Sequence, residues 1–588
     1  MLLPLLVALF LSSGLATEGR RVSTEYGDVI GLIHDKCDVF LSIPYASPPI
    51  GELRFEKPIP PKPWSTPLQT TQFGPSCVPH AKEAIVEDVA VSEDCLTLSI
   101  ITPSTRKLLP VLFYIHGGGF EIGNAAIYGY KAFAEDFAPE GLVVVSIQYR
   151  VGVYGFASLG DGPLPGNYGL FDQAAALKFV HRNIEKFGGD PNNIKLFGIS
   201  GGAASAGMLS ISPLTRDLVK GSIEMSGSAF ANWANENRVE KHTNHLAEAV
   251  GCGGGKRTAK DAKECMKKLS IEQLFDGVKQ IDSSDFNINF LKFAPRIDGE
   301  FAPLPYEIMA KDAPKIPILT GCHTHEASYF IQWNRAPTIH RMGMDEGSQF
   351  YFGRKVFEKY VRILTRDFFN EEEHESAVVD MTNFYAGPPK GEEKTLEKDY
   401  ARLEKEAPFY LERYGHFWSD ISFTMATRMR AIESRRRGSE VYLYLFQHYA
   451  KDMFEKDEKV KGSFHANELP YIFNKNLVRP FNWTNEELKL KKEVQEMIVT
   501  FTKTGKPSVS NVAWPPFHGN TMEKDGTPYV LISTPQWKLY EGFYDKVADF
   551  WFNSMSRYSY DMIRGRKNEA SPQMQIPKPS TVEQHEEL

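Results

Sequence analysis

Ser200 stands between Gly198 and Gly202 in the stretch FGGDPNNIKLFGISGG, residues 187 to 202. An apolar segment (Ile194, Leu196, Phe197) precedes it and small residues (Ala203, Ala204, Ser205, Ala206, Gly207) follow. This order predicts strand, tight turn and helix, with the serine pushed out of the turn where a substrate reaches it. A serine hydroxyl is a weak nucleophile at neutral pH, so the chemistry needs a histidine to take its proton and a carboxylate to orient that histidine. It also needs N–H groups for the developing oxyanion, from the residue after the serine and from a glycine-rich loop after an earlier strand. His116-Gly117-Gly118-Gly119, directly after the apolar run VLFYI, stands in that place. No cofactor or metal is expected for such a site.

The surrounding elements are those that such a turn requires. Apolar runs at 111–115, 142–149, 222–228, 316–321 and 441–446 read as buried strands. They alternate with helical patterns such as NYGLFDQAAALKFVHRNIEKFGG, where Leu170, Ala174, Leu177 and Val180 recur at three and four. The fold class is therefore α/β, a large and mostly parallel sheet with helices on both faces and helical insertions over the strand ends. Proline-rich residues 39–64 read as a covering loop. The charged stretch 486–497 reads as a helix with Leu488, Leu490 and Val494 turned inward, and Arg435, Arg436 and Arg437 as a solvated helix end.

The chain has 588 residues, 42% hydrophobic and 24% charged, with a net charge of −7 and both signs interspersed, which gives no nucleic-acid surface. Residues 1–16 read as a signal peptide, with Gly14 and Ala16 as its small cleavage-site residues. Residues 17–570 are expected to form one domain, and 571–588 a flexible tail ending in His585-Glu586-Glu587-Leu588. That tetrapeptide differs from the H-D-E-L signal by one carboxylate for another, and predicts residence in the endoplasmic reticulum lumen through a retrieval receptor, with secretion as the alternative. No stretch beyond the leader is long and apolar enough for a membrane span. Six cysteines suit an oxidising compartment. By spacing, Cys77 and Cys95 bracket one short loop and Cys252 and Cys265 another, each closure contributing roughly 3 kcal/mol. Cys37 and Cys322 are left free or paired with each other, and Asn482-Trp483-Thr484 is a candidate glycan site.

The motifs FLSIPYASPPIGELRF, SEDCLTLSIITP, HGGGF, YRVGVYGF, NYGLFDQ, FGGDPNNIKLFGISGG, PRIDGE, VYLYLFQH, FHANELPYIF and FTKTGKP together resemble the type-B carboxylesterases, the family that includes cholinesterases and lumenal carboxylesterases. The resemblance runs from about residue 25 to 550 and implies the α/β-hydrolase fold. It implies a serine ester hydrolase acting through an acyl-enzyme, with His465 of FHANELPYIF as the base. For the carboxylate two residues compete. Glu326 follows the strand-like IPILTG, where the family carries G-x-N-x-x-E-G, whereas Glu346 sits in MDEGSQF with no strand before it; position favours Glu326. The resemblance further implies Gly118, Gly119 and Gly201 as oxyanion donors, the two short disulfides, an Arg54–Glu93 ion pair, and Trp233 in the acyl pocket.

The chain also departs from the family. Ile199 replaces the usual glutamate before the nucleophile, and the Cys77–Cys95 loop has no tryptophan to hold a quaternary ammonium. These changes predict neutral rather than choline esters. Ala327 and Ala466 stand where glycine is usual beside two triad residues, and Ser42 replaces another glycine. The competing readings are a binding or adhesion module that has lost catalysis, and a lipase or amidase with the same triad.

Overall fold

The structure is a computed structural model, and it describes residues 19–105, 107–235, 238–282, 291–332, 346–388, 400–509, 512–517 and 527–568. Residues 1–16, the expected leader, and the C-terminal tetrapeptide lie outside these residues. Eleven strands form one sheet. They are β1 (Leu32–His34), β2 (Cys37–Pro44), β3 (Thr97–Pro103), β4 (Leu109–Ile115), β5 (Val143–Ile147), β6 (Gly189–Ile199), β7 (Ser222–Met225), β8 (Ile318–His323), β9 (Val441–Phe446), β10 (Tyr529–Ile532) and β11 (Lys538–Tyr540).

Their order across the sheet is β11-β10-β9-β8-β7-β6-β4-β5-β3-β2-β1. Strands β4 to β10 pair in parallel, and the flanking strands pair antiparallel. The central stretches of the parallel strands are mostly apolar because both faces are covered. In β4, Val111, Phe113 and Ile115 enter one core and Leu112 and Tyr114 the other. Strand β6 does the same, sending Ile194 and Leu196 to the first core and Phe197 and Ile199 to the second. This is the period-two burial expected of a strand between two helical layers.

Register brings the functional strand ends level. Ile115 pairs with Gly198, Ile199 with Met225, and Met225 with Gly321. The segments after β4, β6, β7 and β8 therefore leave the sheet along one carboxyl edge, where open α/β sheets bind ligands.

Five helices matter for the site: α1 (Tyr168–Asn183), α2 (Gly201–Ile211), α3 (Tyr400–Ser419), α4 (Met425–Arg436) and α5 (Asn485–Thr504). Helix α1 was expected to be amphipathic but is buried almost all round, with Ala175, Lys178, His181 and Arg182 as its partly exposed or exposed positions. A helix packed under both the N-terminal segment and the sheet has little face left for water. In α5, Leu490 and Val494 point inward as expected, but Leu488 is 50% exposed, since two residues are about 200° apart on a helix. The proline-rich region is a strand up to Pro44 and a loop only after it.

Candidate active site

Ser200 adopts φ 59° and ψ −125°, between the end of β6 and the start of α2. Such backbone is costly for a side-chain-bearing residue and persists only where its surroundings fix it. They do so here: the Ser200 N–H donates to Met225 O at 2.8 Å, and its carbonyl accepts from Ala203 and Ala204 at 2.9 and 3.1 Å. The turn also brings strand and helix into backbone contact. A Cβ on Gly198 would lie 2.0 Å from the Gly202 carbonyl oxygen, so only glycine fits.

The loop after β4 comes up beside this turn. Gly118 and Gly119 have φ of 121° and 59°. The Cβ position of Gly201 is 3.1 Å from the Gly119 nitrogen, which places the first residue of α2 against the glycine loop. Among the described residues no acceptor takes the N–H groups of Gly118, Gly119 or Gly201. His116 anchors the loop: its ring stacks on Tyr149 with centroids 4.3 Å apart, and its carbonyl accepts from the Tyr149 hydroxyl at 2.8 Å. Burial lowers its pKa to about 4, so it remains a neutral structural ring.

His465 Nδ1 meets Glu326 Oε2 at 2.6 Å, and the His465 N–H donates to the Glu326 carbonyl at 3.2 Å. The second carboxylate candidate, Glu346, begins a short helix, Glu346–Phe350, and its side chain is outside the described residues. Strand β8 runs two residues past Gly321, so Glu326 sits three residues from a strand end, and its carboxyl is fully buried. Burial pushes that carboxyl up, but the charges and hydrogen bonds of His323 and His465 outweigh it and hold the group well below the usual range. Glu326 is therefore a carboxylate at any physiological pH.

His323 was not singled out by the sequence reading. It occupies the third position of the family's G-x-N-x-x-E-G pattern, where a histidine among apolar strand residues was the available signal. Its backbone N–H donates to Glu326 Oε1 at 2.7 Å, its Nδ1 lies 3.3 Å from that oxygen, and Ser226 Oγ is 3.0 Å from Nδ1. On the other side, Nε2 is 3.0 Å from Glu468 Oε2, an ionic contact outside hydrogen-bond alignment. Burial lowers the ring's pKa, but Glu468 and then Glu326 raise it to about 10. A protonated imidazole thus sits between two buried carboxylates, which would otherwise repel.

Ser200, His465, Ile199, Trp233 and the three loop glycines line one cavity of about 200 Å³. The rest of the wall is mostly apolar, with Leu291, Phe330, Phe423 and Leu469 prominent, and no Asp, Glu, Lys or Arg among the described residues lines it. Phe330 and Phe423 stack on each other at 5.9 Å and both pack against the His465 ring, at 5.1 and 4.7 Å. Trp233 Nε1 donates to the Ser422 carbonyl at 2.6 Å, fixing the indole at the wall. Ala466 keeps a left-handed φ of 67°, the conformation glycine would take, at a cost of about 1 to 3 kcal/mol. Ala327 is buried and its N–H donates to Ser419 Oγ at 3.0 Å.

The supporting pairs are present. Disulfides join Cys77 to Cys95 and Cys252 to Cys265. Cys37 and Cys322 are free and buried in different cores, and burial raises both thiols, Cys37 to about 11. Arg54 Nε donates to Glu93 Oε2 at 2.7 Å, and its Nη1 donates to Leu269 O at 2.6 Å, tying the segment just after the second disulfide to the body.

A serine on a strained turn, unpaired N–H groups beside it, and an imidazole hydrogen-bonded through Nδ1 to a buried carboxylate form an arrangement suited to acyl transfer. The chain matches the Carboxylesterase family over residues 18–551. It is similar to gut esterase 1 of Caenorhabditis briggsae, 38% identical across 95% of this chain and 97% of that one. It is also similar to the liver carboxylesterase of Sus scrofa, 30% identical across 92% and 93%, and to the acetylcholinesterase of Danio rerio, 29% identical across 91% and 88%. With the sheet and its carboxyl-edge site on the same residues, the chain belongs to the carboxylesterase family and is a carboxylic ester hydrolase of the α/β-hydrolase fold.

Proposed function

We propose that the enzyme hydrolyses neutral esters, with Ser200 as nucleophile, His465 as general base and Glu326 as its orienting partner. The observation that carries this reading is the 2.6 Å contact of Glu326 with His465, whose ring lines one cavity with Ser200. Ser200 Oγ attacks the ester carbonyl while His465 Nε2 takes its proton. The oxyanion is received by the N–H groups of Gly118, Gly119 and Gly201, each donor worth about 10²-fold or more in rate. His465 then protonates the departing alcohol, and water repeats the cycle on the acyl-enzyme.

Neutral substrates follow from the wall. Ile199 is 2% exposed and lines the cavity where a carboxylate would attract a cation. Ile199→Glu should raise the ratio of kcat/KM for acetylthiocholine over a neutral aryl ester by about tenfold, or ~1.4 kcal/mol, while lowering thermal stability because a buried charge is added. An unchanged ratio removes Ile199 as the determinant. The direct test of the catalytic reading is labelling with a fluorophosphonate probe and turnover of a panel of neutral esters. Wild type should label and hydrolyse. No labelling, or equal labelling of Ser200→Ala, overturns it.

The same proposal places the enzyme in the endoplasmic reticulum lumen, with residues 1–16 removed, the His585–Leu588 tetrapeptide bound by a retrieval receptor, and a glycan on Asn482. Two disulfides and the exposure of Asn482, whose Nδ2 now donates to Asp452 at 2.7 Å, support the compartment. Deleting the four terminal residues should move the protein to the medium. Unchanged retention removes the retrieval reading.

A further inference from the structure

Outside the catalytic cavity, one loop and one helix bring together a donor set that ester hydrolysis does not use. Glu412 and His416 lie one turn apart on α3, so their side chains share a face. His325, the residue before Glu326, faces them. Among the three side chains, one ligand atom from each lies within 4.8 Å of the others. His325 Nε2 is 3.2 Å from Glu412 Oε1, and the His325 and His416 rings are 4.9 Å apart, centre to centre.

We propose that His325, Glu412 and His416 form a binding site for a divalent metal ion of the zinc class. Two imidazoles and one carboxylate are a zinc donor set, and bonds of about 2.0–2.2 Å in a tetrahedron put ligand atoms about 3.3–3.5 Å apart. The His325–Glu412 spacing, 3.2 Å, already meets this, and a ligand atom of His416 lies within 4.8 Å of both. The nitrogen of His325 not facing the site, Nδ1, is 2.9 Å from Thr324 Oγ1, the kind of outer partner that orients a ligating imidazole. The His416 ring has no hydrogen bond among the described residues, which leaves its lone pair for a ligand. The side chain of Glu412 is 39% exposed, so an ion enters from solvent and a water fills the fourth position. Arg413 is the neighbouring positive charge; its guanidinium lies over the Phe409 ring, 5.1 Å from the centroid.

The site's location gives it a role. The His325 N–H donates to the Ser463 carbonyl at 2.8 Å, two residues before His465, and the packing is close enough that a Cβ on Gly462 would strike the His325 ring. An ion joining His325 to α3 therefore ties the segments carrying Glu326 and His465 to the helix above them, acting as a clamp and not as a catalytic group.

The test is calorimetric titration of the metal-free full-length enzyme with Zn²⁺ alone, for wild type, Glu412→Gln and His416→Ala, with folding checked by circular dichroism. Wild type should bind one zinc ion that each substitution weakens at least tenfold, and zinc should raise the unfolding temperature of wild type only. Glu412→Gln changes a partly exposed side chain and keeps its shape, so it reports even where His416→Ala perturbs the helix. No zinc binding to wild type, or the same affinity in Glu412→Gln as in wild type, overturns the site.

Discussion

Glu326→Gln should lower kcat by about 10³- to 10⁴-fold on any ester the enzyme accepts, with little change in KM. The carboxylate touches no substrate, since it lies behind His465 and does not line the cavity. In the proposed mechanism its work is to accept from His465 Nδ1, 2.6 Å away, so that Nε2 is left unprotonated to act as the base and the imidazolium that forms is stabilised. A glutamine amide keeps the shape but presents a donor as readily as an acceptor. It then favours the tautomer with the proton on Nε2, which cannot act as a base. His323 sharpens the effect, because its N–H already takes Glu326 Oε1 at 2.7 Å and so fixes which oxygen remains for His465. With Oε1 of the glutamine held there, the NH₂ group is the one turned towards His465. Steady-state kinetics on a neutral aryl ester measures the loss, beside Glu346→Gln as the control for the other carboxylate candidate. Equal losses in both variants, or full activity of Glu326→Gln, would remove Glu326 from the triad.

Much of this site was legible before the structure because its requirements are local. A serine with glycines two positions either side, an apolar run before it and small residues after it have one compact solution. The Gly198–Gly202 contact, too tight for a methyl, is the physical reason for that spelling. The parallel sheet was legible for a similar reason: strands buried on both faces carry uninterrupted apolar runs. What escaped depends on contacts between segments far apart in the chain. His323 and Glu468 are 145 positions apart, and neither residue announces that the two share a buried charge with Glu326. The donor set of His325, Glu412 and His416 likewise exists only because α3 packs over the end of β8. The misplacement of Leu488 was of another kind, since two leucines two residues apart cannot both face one core on a helix.

Asp420→Asn should stabilise the enzyme at pH 8 and leave it unchanged or slightly less stable near pH 4. Asp420 begins the π-helical turn Asp420–Thr424 between α3 and α4 and is 2% exposed. Its Oδ2 accepts from the Tyr385 hydroxyl at 2.8 Å, and Trp551 Nε1 donates to that same hydroxyl at 2.8 Å. No cation pairs with it among the described residues. Burial raises its pKa from 3.8 to about 7, against smaller opposing effects of Tyr385 and Thr424. For an acid whose pKa is higher folded than unfolded, the native state holds the extra proton between the two values. Stability from this group is therefore full below about pH 4, falls as pH rises, and is gone above about pH 7. The gap corresponds to on the order of 4 kcal/mol, or a few degrees in unfolding temperature for a chain this long. Asparagine keeps an oxygen for Tyr385 and carries no charge at any pH, so the variant's unfolding temperature should lose the wild-type decline between pH 4 and 8. Unfolding scans at unit steps across that range decide it. Parallel curves for the two proteins would show that Asp420 is not the buried acid that sets the alkaline side of the stability profile.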